Sequence, residues 1–515
     1  MNRGRVKNST YNILSGFAYQ LTILIMSFIS RTVLIRTLGL EYLGLNGIFA
    51  DVLSLLSMAD LGINTSLAYI LYKPLAENDE ERLTALVCFY KKIYRFIAIT
   101  VTVLGLLAIP FLRVIINTER EIPNLVFYYL CSLSGVVLSY LFVYRTIILT
   151  ADQKNYQVLR ISIWTTFIKY TLQIVTLMLL KNYIIYLMIG VLIQLLNNLL
   201  ILKKADRMYP FIRRYRRISQ EDEKNIFSNM KSMFLYKISG TMFNATTNIL
   251  ISFLIGTAMV GVYSNYLMVS NKLLLIIQIV FSALTASIGN VIVQERLEKR
   301  YEIFKAMQSI CLIFCGVITS VFCIMANDLV SVWLGNDFTI SSMSIIAFTL
   351  ITYCSCVLLP LCTYRDATGL YMKTKYIMLL AALLNIILSM IMGHLWGLTG
   401  ILFASVVSKI CTSFWYEPKI LFHEYFKRRV SRYFLSLLYN ALLIAVTILL
   451  LSWMFRDIKV DGWAMLILKG GSIGIISTGI FLGAYANTEG FRMILNIAFS
   501  VFRKLFRANA GRIND

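Results

Sequence analysis

Apolar runs of about 20 residues, the length that spans a bilayer as a helix, recur along the whole 515-residue chain. Only helices and closed barrels cross the hydrocarbon core of a membrane, and runs of this length are typical of helices. Mean hydropathy is +0.73, and 15% of the residues are charged, against about a quarter in soluble domains. The sequence therefore predicts an all-α polytopic membrane protein with no large soluble domain.

Charged and turn-rich breaks separate the apolar runs, so the number and limits of the spans can be predicted. The first run follows the basic segment MNRGRVKNST and is too long for a signal-peptide core, so we interpret it as a retained span. We predict about 14 transmembrane helices, at residues 11–38, 43–72, 88–112, 123–149, 156–180, 183–202, 229–255, 259–292, 303–333, 341–364, 375–395, 398–421, 433–455 and 463–486.

Basic residues are concentrated in the loops that follow even-numbered spans. The formal net charge is +23, and the densest cluster lies at residues 203–217. The positive-inside rule then places both termini in the cytoplasm of a multi-pass protein of the cell membrane. Because the basic clusters flank spans, we expect contacts with anionic membrane lipids and none with nucleic acid.

An internal repeat relates the two halves of the chain. The segment TLGLEYLGLN (37–46) matches LIGTAMVGVY (254–263), which pairs Gly39 with Gly256 and Gly44 with Gly261, 217 residues apart. Each half then holds six spans of the same orientation, so we predict two pseudo-symmetric six-helix lobes followed by two further helices. The predicted domains are an N-terminal lobe (1–202), a basic cytoplasmic linker (203–228), a C-terminal lobe (229–425), helices 13 and 14 (426–487) and an amphipathic cytoplasmic tail (488–515).

Polar and cationic residues form stripes at helical spacing inside the predicted spans. Ionisable residues at membrane depth are costly and mark functional sites. Cations outnumber intramembrane acids, which predicts a water-filled cavity that binds an anion, and phosphate suits lysine and arginine. The candidate substrate-binding residues of this cavity are Arg31, Lys169, Lys237, Lys272, Lys409, Gln20, Asn244 and Asn248.

Other roles remain open for several of these polar residues. Ser, Thr and Asn commonly form hydrogen bonds between membrane helices, which explains the stripes without a substrate. Arg36, Arg145 and Arg365 lie near span ends, where long cationic side chains can snorkel to the interface. Asp51 and Asp60 either couple transport to a proton or sodium gradient or form ion pairs with nearby cations.

The segments RTLGLEYLGLNGIF and LSMADLGINTSLAYILYKPLAENDEERL carry a resemblance to a known family. Here the chain resembles the Wzx-type polysaccharide flippases, which share the multidrug/oligosaccharidyl-lipid/polysaccharide (MOP) exporter superfamily with the MATE transporters and the lipid II flippases. The resemblance implies a MATE-like V shape and alternating access. It also implies a substrate of oligosaccharide linked to undecaprenyl pyrophosphate, for capsule or exopolysaccharide biosynthesis, and partners such as a polysaccharide polymerase and other assembly proteins.

Three other functions remain as alternatives. A MATE-like multidrug exporter of organic cations would favour an acidic cavity, whereas this one is predicted to be basic. A lipid II flippase would share the mechanism and differ in the glycan. A membrane glycan enzyme would show paired catalytic carboxylates or sizeable hydrophilic loops. The sequence shows neither, so we predict a non-enzyme with no catalytic residue, metal or cofactor.

Overall fold

The computed structural model describes residues 3–57, 70–75, 77–118, 121–368, 370–493 and 495. These residues form helices joined by short turns, and they contain no β-strand. The helices are α1 Arg3–Leu38, α2 Leu40–Leu56, α3 Glu80–Leu107, α4 Ile109–Ile115, α5 Leu125–Phe142, α6 Tyr144–Ala151, α7 Asn155–Leu180, α8 Tyr183–Met208, α9 Gln220–Leu254, α10 Thr257–Gln294, α11 Leu297–Leu334, α12 Ser342–Val357, α13 Leu359–Thr368, α14 Tyr371–Cys411, α15 Ser413–Ile420, α16 Ser431–Met454 and α17 Trp463–Tyr485.

Most of these helices are long and apolar enough to cross a membrane. The described residues contain ten such helices, or eleven if α3 and α4 form one bent span. One of the ten, Tyr376–Phe426, has 51 residues, far more than the roughly 20 that one crossing needs. Its backbone is non-helical at Gly397 (φ 57°), between predicted spans 11 and 12. The prediction of an all-α polytopic membrane protein is confirmed.

The predicted spans correspond to single helices or to pairs of helices separated by a short break. Helix α2, at 17 residues, is shorter than a full span, and the rest of predicted span 2 falls largely outside the described residues. Helices α3 and α4 meet at an angle of 55° beside Pro110, which has no backbone N–H to continue the helix. Predicted spans 4 and 10 are likewise interrupted, at Val143 and Leu358.

The chain divides into two compact units, an N-terminal unit (Met1–Gly261) and a C-terminal unit (Val262–Asp515). Helix α9, the seventh predicted span, therefore lies in the N-terminal unit, whereas the sequence assigned it to the second lobe. Since α8 continues to Met208 and α9 begins at Gln220, the connection between them is shorter than the predicted linker (203–228). The predicted amphipathic tail lies mostly outside the described residues.

The glycines of the internal repeat make reciprocal contacts within the N-terminal unit. Gly39 and Gly256 both adopt positive φ, at 96° and 140°, where the chain breaks between two helices. A Cβ on Gly44 would lie 2.0 Å from the Thr257 carbonyl oxygen, and one on Gly261 would lie 2.6 Å from the Leu40 carbonyl oxygen. Because each contact maps onto the other by the same shift of 217 residues, the repeat has the pattern of a two-fold.

The last two helices pack against α11 in the C-terminal unit. A Cβ on Gly316 would lie 2.1 Å from a ring carbon of Phe481, so only glycine allows α17 to approach this closely. The Asn440 side-chain amide donates hydrogen bonds to the Leu312 carbonyl oxygen (3.2 Å) and the Tyr485 hydroxyl (3.0 Å). Helices α16 and α17, the predicted spans 13 and 14, are thus held by specific contacts to α11 and to each other.

Candidate functional site

Arg31 is the first candidate cation along the chain, and it lies in the N-terminal unit. Its position on α1 is seven residues before Leu38, or about 10 Å at 1.5 Å per residue. The side chain is half-buried, and the hydroxyls of Tyr170 and Tyr186 lie near its guanidinium. Helices α7 and α8 therefore provide Arg31 with polar aromatic neighbours at membrane depth.

Lys169 lies near the middle of α7 and contacts Tyr170, the tyrosine that also lies near Arg31. Its Nζ atom is 4.3 Å from the centroid of the Tyr170 ring, a distance typical of a cation–π contact. Lys169 is half-buried, and it forms no ion pair with a carboxylate among the residues that the structure describes. Two predicted cavity cations, Arg31 and Lys169, thus share one aromatic neighbour.

A group of four tyrosines lies near the N-terminal ends of α2, α5 and α8, and it includes Tyr186, the neighbour of Arg31. The Tyr183 hydroxyl donates a hydrogen bond of 2.8 Å to the Asn46 side-chain oxygen. Its ring meets those of Tyr42 and Tyr128 edge-on, with centroids 4.8 Å apart in both pairs, and stacks on Tyr186 at 5.8 Å. The sequence analysis named no tyrosine. The available signal was the i, i+3 spacing of Tyr183 and Tyr186 on α8.

Asp51 and Asn248 bring α2 and α9 together in the N-terminal unit. The Asp51 carboxylate interacts with the side chain and backbone of Asn248. One oxygen of each side chain, Oδ2 of Asp51 and Oδ1 of Asn248, is buried without a hydrogen-bond partner among the described residues. Asp51 also has no ion pair there, so the alternative of charge pairing gains no support for this residue.

The other candidates are distributed over both units. Gln20 on α1 is half-buried, and so is Lys272 on α10 in the C-terminal unit. Lys409 on α14 donates a hydrogen bond of 3.0 Å from Nζ to the Ser355 hydroxyl on α12. Lys237 and Asn244 lie on α9, where the description does not extend to their side chains, and Asp60 lies outside the described residues.

Several polar residues of α7, the fifth predicted span, form hydrogen bonds to α8, as the alternative interpretation predicted. Ser162 and Thr165 both donate hydrogen bonds to the Asn197 side-chain oxygen on α8, at 3.3 and 2.8 Å. Gln173 donates from Nε2 to the Tyr186 carbonyl oxygen at 2.9 Å. These contacts account for the Ser and Gln residues of the stripe but not for Lys169.

Arg145 and Arg365 do not snorkel to the interface, and the structure corrects this interpretation. The Arg145 guanidinium lies 2.7 Å from the Asp206 carboxylate, with 9% and 10% of the two side chains exposed. The Arg365 guanidinium lies 2.8 Å from the Glu417 carboxylate, with 8% and 4% exposed. Both arginines are buried because a carboxylate elsewhere in the same unit offsets the cost of removing the charge from water.

The groups that the described residues bring together here are cationic, aromatic, acidic and amide side chains. No group of three or more His, Cys, Asp and Glu side chains that would hold a metal ion occurs among the described residues. The N-terminal unit contains two cations, Arg31 and Lys169, beside tyrosine side chains. It also contains one acid, Asp51, beside the amide of Asn248. Such groups can bind an anion and the hydroxyls of a sugar.

Comparison with known proteins identifies the fold. The structure resembles the lipid II flippase MurJ in an inward closed conformation, at 16% sequence identity and a TM-score of 0.63, over 92% of this chain and 100% of that one. It also resembles an inward-facing multidrug resistance MATE transporter of the MOP superfamily, at 13% identity and a TM-score of 0.54, over 76% of this chain and 93% of that one.

A third similar structure is a Vibrio cholerae MATE transporter in its bent form, at 12% identity and a TM-score of 0.53, over 82% of this chain and 98% of that one. No family model and no curated protein matches the sequence. The fold is therefore that of MOP-superfamily flippases and exporters, and the chain is a multi-pass membrane protein.

Proposed function

We propose that this chain is a flippase that moves oligosaccharide repeat units linked to undecaprenyl pyrophosphate across the cell membrane, for capsule or exopolysaccharide biosynthesis. It performs transport rather than catalysis. The pyrophosphate and sugars enter a cationic cavity, while the undecaprenyl chain stays in the lipid because its removal from an apolar environment would gain nothing.

The depth of Lys169 is the observation that carries this proposal. The residue lies 14 positions after Asn155 and 11 before Leu180, or about 21 Å and 16 Å from the two ends of α7. A lysine side chain is too short to reach either interface from there. An ionisable residue held at this depth is by default a candidate functional site, and its charge favours an anionic substrate.

In the mechanism that we propose, Arg31, Lys169, Lys237, Lys272 and Lys409 supply the positive field for the pyrophosphate. Gln20, Asn244 and Asn248 supply hydrogen bonds to the headgroup. The cavity opens alternately to the two sides of the membrane, and Asp51 or Asp60 couples this cycle to a proton or sodium gradient. A polysaccharide polymerase and other assembly proteins then receive the exported unit.

The MOP fold supports two alternatives equally well. A lipid II flippase is the second candidate, because the likeness to MurJ extends over 92% of this chain and over more of it than the likeness to the first MATE transporter. A MATE-like multidrug exporter shares the fold, but organic cations would be repelled by Lys169 and Arg31. The three functions differ in the substrate and can be separated by transport assays.

Complementation of a host that lacks its own repeat-unit flippase tests the proposal. We expect Lys169→Glu to abolish polysaccharide export while the protein is still inserted into the membrane, because the new charge repels the pyrophosphate. Lys181→Glu is the matched control. It reverses the same charge on an exposed residue at the end of the same helix, and export should continue.

Equal export by both variants, at equal abundance in the membrane fraction, would overturn the anion-binding cavity. Rescue of cells depleted of their lipid II flippase would instead favour that second candidate. Uptake of organic cations into proteoliposomes, stimulated by Lys169→Glu, would favour the multidrug exporter.

We propose an orientation with both termini in the cytoplasm, on the basis of the positive-inside rule. The connection between α8 and α9 (209–219) then faces the cytoplasm, and the segment after α4 (116–118) faces outward. Single cysteines introduced in these two segments should react with a membrane-impermeant maleimide from opposite sides. Labelling of 209–219 in intact cells would reverse the proposed orientation.

A further inference from the structure

A cationic cavity opens at one end of the N-terminal unit, away from Arg31 and Lys169. Its volume is about 340 Å³, within the range of small-molecule sites. The lining comes from α3, from the start of α6, and from the turn and extended segment that follow α8. Six of the described lining residues are cationic and none is acidic: Lys91, Lys92, Arg95, Arg145, Arg213 and Arg214.

An arginine–carboxylate network fixes the floor of this cavity. Arg145 lies 2.7 Å from one Asp206 oxygen and donates from Nη1 to the Ile212 carbonyl oxygen at 3.3 Å. Arg213 donates from Nε to the second Asp206 oxygen at 3.2 Å. One carboxylate is therefore shared by two guanidinium groups, and the network keeps a net positive charge.

Contacts to α3 hold the wall of the cavity in place. Thr84 donates to the Phe211 carbonyl oxygen and the Cys88 thiol donates to the Arg214 carbonyl oxygen, both at 3.3 Å. Glu81 forms an ion pair of 2.6 Å with Arg216. The segment that carries Arg213 and Arg214 is thus fastened along α3, so that their side chains line a formed site rather than a loose loop.

Donor capacity remains open inside the cavity. The Nε atom of Arg145 is buried and has no hydrogen-bond acceptor among the described residues. Within the same residues, Lys91, Lys92, Arg95 and Arg214 form no ion pair with a carboxylate. Cationic side chains that have no carboxylate partner attract anionic groups, so a cavity with this lining suits an anion.

The surroundings show what kind of anion fits. Immediately after Arg95, α3 exposes Phe96 and then Ile99, whose residues are 70% and 64% accessible. An apolar surface therefore begins directly beside the cationic cavity, on the same helix of the bent span formed by α3 and α4. Such a site suits an amphipathic ligand with a phosphate at one end and an apolar tail at the other.

We propose that this cavity binds the phosphate group of a membrane lipid, with the lipid tail lying along Phe96 and Ile99. Guanidinium groups bind phosphate oxygens through paired hydrogen bonds, and basic clusters beside spans attract anionic headgroups. Two kinds of lipid share this chemistry: an ordinary anionic phospholipid and an isoprenoid pyrophosphate. The site does not depend on the substrate proposed above.

The native thiol of Cys88 provides a reporter of occupancy, because it lines the cavity. We would measure its modification by maleimide in the purified full-length protein in detergent, using peptide mass spectrometry. Exposed Cys411 in the C-terminal unit is the internal control. The probes are dioctanoyl phosphatidylglycerol, farnesyl pyrophosphate, inorganic pyrophosphate and dioctanoylglycerol, which has the same tails as the first probe but no phosphate.

We expect one or both phosphate lipids to slow modification of Cys88 several-fold without changing that of Cys411. Protection by phosphatidylglycerol alone would identify an ordinary phospholipid as the ligand, and protection by farnesyl pyrophosphate alone would identify an isoprenoid pyrophosphate. Equal protection by dioctanoylglycerol, protection by inorganic pyrophosphate equal to that by the lipids, or no protection would overturn the proposal.

A variant tests the assigned site within the same labelling assay. Arg214→Gln removes a charge from the cavity and leaves the carbonyl oxygen that binds Cys88 in place. We expect the lipid concentration that gives half-protection to rise about tenfold, because one charge-assisted contact is lost. Lys181→Gln, which changes an exposed lysine elsewhere in the N-terminal unit, should leave it unchanged. An unaltered half-protecting concentration in Arg214→Gln would contradict the assigned site.

Discussion

Each unit contains a buried arginine–carboxylate pair, and the two pairs join corresponding spans of the two units. The surroundings of the two pairs differ. In the N-terminal unit, Arg145 on the second part of the interrupted fourth span pairs with Asp206 at the end of the sixth span. In the C-terminal unit, Arg365 on the second part of the interrupted tenth span pairs with Glu417 near the end of the twelfth. The two arginines are 220 residues apart and the two acids 211.

The cavities beside the two pairs differ greatly in volume. Arg145 lines the cationic cavity of about 340 Å³. Arg365 and Glu417 line a cavity of only about 10 Å³, together with apolar side chains and one threonine, which is about the space that one water molecule needs. The basic residues Lys427, Arg428 and Arg429 of the C-terminal unit line a separate cavity of about 750 Å³.

This difference shows what the internal repeat has kept. Both units contain an ion pair between corresponding spans. Corresponding residues of the two pairs are 220 and 211 positions apart, however, and not 217 as the glycines are. The positions of the paired residues along the chain therefore differ, and so do the volumes of the cavities beside them. An enclosed pair fastens helices, and an open one can also bind a ligand.

The largest effect in this comparison is expected from Glu417→Gln. The substitution keeps the size of the side chain and removes the negative charge nearest to Arg365. Removing one partner of a buried ion pair costs about 3–5 kcal/mol, and the 10 Å³ cavity leaves little room for water to solvate the arginine. The melting temperature of the purified protein in detergent should show the largest decrease of any variant discussed here.

The double variant Arg365→Met/Glu417→Leu separates the contribution of the two charges to stability from the contribution of side-chain packing. Replacement of both partners by apolar side chains of similar volume is often neutral or stabilising. We therefore expect a melting temperature close to that of the unaltered protein. If the double variant were less stable than Glu417→Gln, the pair would contribute more than the mutual compensation of two buried charges.

The reciprocal glycines should respond more equally than the ion pairs. In Gly44→Ala the new Cβ would lie 2.0 Å from the Thr257 carbonyl oxygen, and in Gly261→Ala it would lie 2.6 Å from that of Leu40. We expect each variant to lose about 1–3 kcal/mol of stability, because the backbone must move apart. Gly16→Ala is the control, since no atom lies within 4 Å of its added Cβ. A loss in Gly16→Ala as large as in the other two would refute the contact as the cause.

Asp206→Asn is expected to be milder than Glu417→Gln. Arg145 keeps its hydrogen bond to the Ile212 carbonyl oxygen, and water from the open cavity can solvate it. A loss of about 1–2 kcal/mol follows from a weakened but accessible contact. Thermal melting of the two amide variants side by side tests the comparison directly. A larger decrease for Asp206→Asn would mean that the N-terminal cavity is not open to water.

Much of the fold could be predicted from the sequence, because membrane helices have a strong local signal. Runs of apolar residues placed most helix ends to within six residues, although α1, α3 and α9 begin eight or nine residues earlier than predicted. The shared glycine pattern predicted the repeat. The break at Leu358 did have a local signal that the sequence analysis left unused, because Pro360 has no backbone N–H to continue the helix. The break at Val143 has no glycine or proline beside it. The division at Gly261 depends on how tightly α9 packs against α2, which only the folded chain reveals.

The candidate site was less accessible to sequence reasoning. Helical spacing predicted Arg31 and Lys169 as cavity residues, but it could not show that both lie beside Tyr170. Arg145 and Arg365 were misjudged because their partners, Asp206 and Glu417, are 61 and 52 residues away along the chain. Pairs at such separation leave no periodic pattern. The role of Lys237, Asn244 and Asp60 remains a prediction.

The smallest effect is expected at the ion pair between Lys305 and Glu489 in the C-terminal unit. Here 83% of the glutamate side chain is exposed, and exposed pairs contribute little because water and salt screen them. The hydrogen bond and charge of Lys305 hold the pKa of Glu489 below its usual value. A carboxylate with a lowered pKa stabilises the fold above its unfolded pKa of about 4.3 and loses this contribution as the pH falls through its folded pKa. We therefore expect Glu489→Gln to lower the melting temperature slightly at pH 7, and by progressively less as the pH falls through the folded pKa of Glu489. A decrease as large as that of Glu417→Gln, or one that persists in acid, would show that burial does not explain the difference between the enclosed and exposed ion pairs of this unit.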